Sequence, residues 1–459
     1  MIFENPIFVV EKIYYDVKRG LEVSEDIIRK AGILLGTPFK RVDVFLSRYE
    51  EVFTKFIEKR CCEAREDYKM CIYSWNRKRS FKSFPVSNYA TGTIILFRDE
   101  EPVETVLTPL PKAIDYIEGS EPVSPDKIPL YVSPRIDGWQ VNLYYDKLLN
   151  RWIFSTRYVL HNMYFSRGRL VIDRYGEISN PIVSIADELA SQQDLYKKID
   201  EKKGWIFIFS LLGPEPAILS PPYPVAPDLS KYQLYLIAAR DLDGKLIPGE
   251  TVAKEIDWRY HPSSIKPRKI SELYNDIKDS LFTRSYVAWI ETGEKDPMLI
   301  ELPSKYYYDA MMIKHMYDAK SVAVLCSEGL CDKIRELIDQ EEYREKISMI
   351  EKMYKILTDK LSETKDLEET AEKITDLIKK IKGSEAVSRE EILKEIKSGN
   401  YKRLSKKILS IILENVSIAS QEFDEKLNLI KTILSPQKRD FPSVYIYKLS
   451  YIYIWCVYV

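Results

Sequence analysis

Hydrophobic and polar positions divide the chain into three textures. From residue 8 to about 70 the pattern predicts helices: Val42, Phe45, Leu46, Tyr49, Val52 and Phe53 recur at three- and four-residue spacing, with Thr37-Pro38 as a helix start. From about Cys71 the pattern shortens to strands rich in aromatic and β-branched residues, at Gly92 to Phe97, Trp139 to Tyr145, Trp152 to Thr156, Trp205 to Leu211, Tyr232 to Ala238 and Tyr286 to Ile290. After about Tyr308 the helical period returns and holds to Leu434. Ile347, Ile350, Tyr354, Leu357 and Leu361 form a buried-seam pattern, Ser388 to Glu391 a capping box, and Gly399 a stop. The predicted fold is α+β: antiparallel sheets with helices over 1–310, an all-helical domain over 311–440, and an apolar aromatic tail over 441–459. The prolines between Gly213 and Pro227 predict a rigid surface loop.

Composition narrows the function classes. With 459 residues, more than one core is expected, and a net charge of -1 leaves no global field to attract nucleic acid, so any RNA contact must come from local patches. The six cysteines show no Cys-x-x-Cys spacing, and His161, His261 and His315 are far apart; no zinc site is expected, and the thiols read as reduced in a cytoplasmic protein. No secretory signal is read at Met1 to Val10, and the stretch from Tyr451 to Val459 is too short to span a bilayer, so no membrane association is expected.

Two basic segments are candidate RNA contacts. Arg77, Lys78, Arg79 and Lys82 alternate with Trp75 and Phe81, which suits phosphate contact plus base stacking. Lys394, Lys397, Lys402 and Lys406 form a basic corner around Gly399, with Lys402 and Lys406 on one helix face. A solvated charged surface is the plainer account of both.

The chemistry centres on Arg135-Ile136-Asp137-Gly138. An Asp-Gly step alone is also a hairpin turn, but the order of segments around it resembles the bacteriophage tRNA-repair RNA ligases, the RNA ligase 1 group of covalent nucleotidyltransferases. The likeness covers roughly residues 70 to 310. Thr91 to Phe97 resembles the family's Arg-Gly-Ile-Met-Phe strand, Pro109 to Lys112 its phosphate-lysine stretch, and Phe154 to Arg157 the next basic strand. Trp205 to Pro214 resembles Phe-Glu-Phe-Val-Ala-Pro, Arg284 to Ala288 resembles Glu-Gly-Tyr-Val-Ala, and Glu301-Leu302-Pro303-Ser304 resembles the terminal Lys-x-Lys-Ser.

What the resemblance implies is a ligase scaffold without ligase chemistry. The nucleophilic lysine is replaced by Arg135, which stays protonated and cannot attack a phosphate. Two carboxylates are replaced by Ser210 and Arg284, and two phosphate lysines by Glu301 and Pro303. Lys112, Arg135, Asp137, Gly138 and Arg157 are expected to line the remnant nucleotide pocket. The signs at Arg284 and Glu301 are exchanged relative to the family, which predicts an ion pair between them. No cofactor and no metal are expected. The function implied is RNA binding, tRNA among the candidates, as a binding or scaffolding module. Two alternatives stay open: an active ATP- and magnesium-dependent RNA ligase with Lys112, Lys127 or Lys147 as nucleophile, and a protein-interaction module without nucleic acid.

Overall fold

The computed structural model describes residues 4–76, 84–214, 228–382 and 387–434. The chain forms two compact units, with the boundary between Lys305 and Tyr306. The architecture is α+β, antiparallel sheets with helices followed by a helical unit, as the sequence patterning predicts.

The first unit opens with helices Pro6–Lys18, Glu25–Leu34 and Val42–Lys55. Asn5 and Ser24 cap the first two through their side chains. Two expectations are corrected here. Helix does not continue to residue 70: strands β1 (Ile57–Arg65) and β2 (Tyr68–Trp75) form an antiparallel hairpin. β1 lies at the sheet edge, so runs of charged residues face solvent and hide its strand period. Nor does Thr37-Pro38 start a helix; the Thr37 amide bonds Gly32 O at 2.9 Å, closing the preceding helix, and the next begins at Val42.

Strands β3 (Ile94–Arg98) and β4 (Glu101–Leu107) complete a four-stranded sheet in the order β1-β2-β3-β4. One face packs against the opening helices through Phe45, Val52, Tyr73 and Ile95. β5 (Ile114–Asp115) and β6 (Tyr131–Pro134) belong to a second four-stranded sheet, and β7 (Trp139–Asp146) and β8 (Arg151–Thr156) to a five-stranded one. A short hairpin, β9 (Met163–Ser166) and β10 (Arg169–Ile172), stands apart. The five-stranded sheet runs β13-β12-β11-β7-β8, adding β11 (Ile206–Leu212), β12 (Gln233–Arg240) and β13 (Leu246–Pro248). The other sheet runs β5-β15-β14-β6, with β14 (Ser285–Ile290) and β15 (Met298–Pro303).

Period-two alternation gives the five-stranded sheet two different faces. Val141, Leu143, Phe154, Phe207 and Phe209 pack under helices Pro181–Gln192 and Gly249–Glu255. Tyr144 and Ile153 meet Met70, Ile72 and Leu107 of the first sheet. Ile208 and Ala238 meet Trp289 and Leu299 of the second. A buried bidentate pair, Arg240 with Asp296 at 2.7 and 2.8 Å, fastens β12 to the β14–β15 loop. Arg240 also donates to the Thr108 and Pro109 carbonyls, and Tyr89 donates to Asp296 at 2.7 Å.

The cysteine expectation is overturned. Cys61 and Cys71 are disulfide-bonded, as are Cys326 and Cys331. β1 and β2 pair with Cys61 directly opposite Cys71, a Cα separation of 4.1 Å that brings the two sulfurs together. That register is a tertiary fact absent from the spacing. Cys62 remains a buried thiol pushed up to about 11 by burial.

In the second unit the seam residues Ile347, Ile350, Tyr354, Leu357 and Leu361 are all buried, on helix Glu341–Glu363. The Ser388 hydroxyl accepts from the Glu391 amide at 3.2 Å, and Gly399 ends that helix with φ +73°. Among the described residues no helix is long and apolar enough to cross a membrane.

Candidate functional site

Arg135 to Gly138 is the segment by which the chain leaves β6 in one sheet and enters β7 in another, so Asp137-Gly138 is not a hairpin turn. Gly138 has φ +149°, and a Cβ there would lie 2.7 Å from Ser210 Oγ and against the Leu211 carbonyl. Only glycine lets the segment lie flat on β11. Ser210, nearly buried, is thereby brought under the box.

Register sets the rest. The Arg135 amide bonds Ser285 O at 2.9 Å, extending the β6–β14 ladder, and Val287 is paired with both Ser133 and Glu301. Arg135, Ser285 and Glu301 therefore project from one face. The Arg135 guanidinium is hydrogen-bonded to Glu301 Oε2. The Ser285 hydroxyl donates to Glu301 Oε1 at 2.8 Å. Arg284 donates to Asp137 Oδ1 at 2.8 Å, and its Nε lies 3.9 Å from Glu301 Oε1. Pro303 pairs with Ser285 at the end of β15.

The expected Arg284–Glu301 pair is thus the long edge of a larger arrangement. Two arginines and two carboxylates form a charge-neutral quartet, and the strong partner of Glu301 is Arg135. Glu301 is buried, at 8% exposure, while Arg135, Asp137 and Arg284 are half-buried. Sequence reasoning missed both the Arg135–Glu301 contact and Ser285; the sign change at Glu301 was the available signal.

Lys112 and Arg157 line a recess of about 30 Å³ with Trp75, Ser87, Asn88, Thr91 and Tyr158, space for little more than one water. Between recess and quartet, Gln140 donates to Asn142 at 3.1 Å, and Gln140 stands opposite Ser210. Asn142 Nδ2 and its cross-strand neighbour Ser155 Oγ are buried with no hydrogen-bond partner. A polar floor thus joins the two places.

Lys112 and Arg157 bring two cations to the small recess, whereas the charges of the quartet are matched to one another. Both carboxylates of the quartet already hold arginines, and among the described residues no group of three His, Cys, Asp or Glu side chains could hold a metal ion. Lys147 lies in the β7–β8 turn, 2.5 Å from Glu104, and Lys127 in the loop before β6.

Arg77, Lys78, Arg79 and Lys82 lie outside the described residues, as does the tail over 441–459. Lys394 and Lys397 sit on helix Arg389–Lys397, Lys402 and Lys406 on helix Tyr401–Ile412. Carboxylates thread this corner: Lys406 bonds Glu328 at 2.6 Å and Lys397 is 3.9 Å from Glu368, while Lys394 and Lys402 are exposed.

No protein-family model and no curated protein matches the chain. Among solved structures, an archaeal ATP-dependent RNA ligase is similar with a TM-score of 0.40 and 13% identity over 82% of this chain and 98% of that one. The Naegleria gruberi RNA ligase with PPi is similar with a TM-score of 0.27 and 10% identity, covering 57% and 98%. With TM-scores this low, the functional reading rests on the residues of the chain itself.

Proposed function

We propose that this protein is an RNA-ligase-like chain that has lost lysyl-adenylate chemistry and binds RNA, tRNA among the candidates, as a binding or scaffolding module. The observation that carries the reading is the Arg135–Glu301 ion pair. At the position where the resembled ligases place an amine nucleophile stands a guanidinium, which cannot lose its proton near neutral pH. At the position of a phosphate-stabilising lysine stands the carboxylate that holds it.

Electrostatics point the same way. A cation there would attract a phosphate about 4 Å away by roughly 4 kcal/mol at an effective dielectric near 20, and Glu301 reverses that sign. Lys112, Arg157, Asp137 and Gly138 act as phosphate contacts or structural supports, not as catalysts.

The test is incubation with radiolabelled ATP and magnesium, followed by denaturing electrophoresis. No covalently labelled band is expected, and none from Arg135→Lys alone, because Glu301 and Arg284 still hold the site. A labelled wild-type band overturns the loss of chemistry. Retention of labelled tRNA or unstructured RNA by the full chain tests the binding half.

A further inference from the structure

We propose that the β9–β10 hairpin and the surface beside it form a binding strip for single-stranded RNA. The inference rests on the RNA-binding reading above and names the surface and the form of RNA it takes.

The hairpin turns at Arg167-Gly168, both left-handed, with φ of +49° and +76°. That is the two-residue primed turn whose twist matches antiparallel strands, and it holds Arg167 and Arg169 out into solvent. Neither has an ion-pair partner among the described residues, in a unit where many surface cations do. Next to the tip, the Phe165 ring is 48% exposed. Arg60 lies over that ring at 5.6 Å and donates to the Tyr158 carbonyl at 3.0 Å. That bond holds the backbone of Tyr158, a residue 51% exposed, close to the Arg60 guanidinium. Glu58 pairs with Arg60 and cancels its charge. Arg60 therefore acts as a neutralised support under Phe165, and the net positive charge lies at Arg167 and Arg169. Tyr158 in turn borders the recess that holds Arg157.

A lone exposed ring needs no explanation. Two exposed aromatic residues linked through Arg60, one by its ring and one by its backbone, with two exposed arginines at one end and the recess that holds Arg157 at the other, place stacking surface next to phosphate-binding charge. Single strands offer the counterpart: open base faces and a flexible phosphate chain. A duplex hides its base faces.

The test is fluorescence anisotropy of the full chain with an unstructured labelled RNA of about 20 nucleotides, titrated at several salt concentrations. Each phosphate neutralised on a single strand adds about 0.7 to the log–log salt slope, so Arg167→Ala/Arg169→Ala should lower that slope by about 1.4. Phe165→Leu keeps an apolar side chain but removes the ring, and should weaken binding about tenfold at unchanged slope. Unchanged melting of each variant shows that the fold is intact. Wild-type binding with both variants unchanged overturns the strip and leaves the RNA reading standing. A wild-type chain that retains no RNA overturns both. Tighter binding of duplex than of single-stranded RNA overturns the single-strand assignment.

Discussion

Glu301→Gln is the sharpest test of the quartet. Glutamine keeps the volume and the acceptor facing the Ser285 hydroxyl, but it removes the charge that holds Arg135 and faces Arg284 at 3.9 Å. A charge-assisted hydrogen bond contributes about 1.5–3 kcal/mol, and losing one partner of a fully buried pair costs about 3–5 kcal/mol. Glu301 is buried but its arginine partners are half-buried, so solvent screening brings the expected loss to about 2 kcal/mol. For a unit spanning Met1–Lys305 this is a fall of about 3 °C in melting temperature. The assay is thermal and urea denaturation of the wild type, Glu301→Gln, Arg135→Met and the double variant. A coupling energy of about 1–2 kcal/mol is expected from the cycle. A coupling below about 0.3 kcal/mol, with melting unchanged, would mean that the pair contributes nothing and that both groups are simply solvated.

Other consequences are separable. Burial beside Arg151 pushes the fully buried His161 down to about 4, from an ordinary value of 6.5. The unfolded chain binds the proton first, so stability should fall as pH drops from 6.5 toward 4, by up to about 3 kcal/mol, and stay level above 6.5. Urea midpoints of His161→Gln should lack that slope, and an identical pH profile refutes the assignment. Asp296→Ala strands the buried Arg240 and should cost about 3–5 kcal/mol by denaturation, whereas loss under about 1 kcal/mol would mean water reaches the site. Alkylation of the denatured chain without reductant should leave Cys61, Cys71, Cys326 and Cys331 unmodified. Reduction should cost the first unit about 2–3 kcal/mol, the loop-closure value for a ten-residue separation, and modification of all four thiols refutes both bonds.

Much of the fold was legible where one physical rule acted alone. The strands at Trp139, Trp152 and Tyr286 and the seam from Ile347 to Leu361 follow side-chain period, and the structure has them. β1 was not legible, because an edge strand can carry charge on exposed positions, and residues Ile57 to Arg65 lack the apolar alternation that marks a half-buried strand. At the site, the order of segments singled out Arg135, Asp137, Arg284 and Glu301, and these four lie together. Which arginine meets which carboxylate was not legible, since it depends on the register of β6, β14 and β15. Lys112 and Arg157, grouped with the quartet on sequence grounds, line a recess with Trp75, Ser87, Asn88, Thr91 and Tyr158.

The Arg240–Asp296 fastening constrains how the protein is made. Tyr89, the Thr108–Pro109 carbonyls, Arg240 and Asp296 are donor and acceptor to one another across more than half of the first unit's length. While the chain is still emerging from a ribosome, Arg240 appears long before its counterion does. Until Asp296 follows, closing the sheets would bury an uncompensated guanidinium, a penalty of several kcal/mol. Completion of the unit therefore waits for the stretch from Asp296 to Lys305, which licenses the packing of the rest, and the nascent intermediate is the species most in need of chaperone protection.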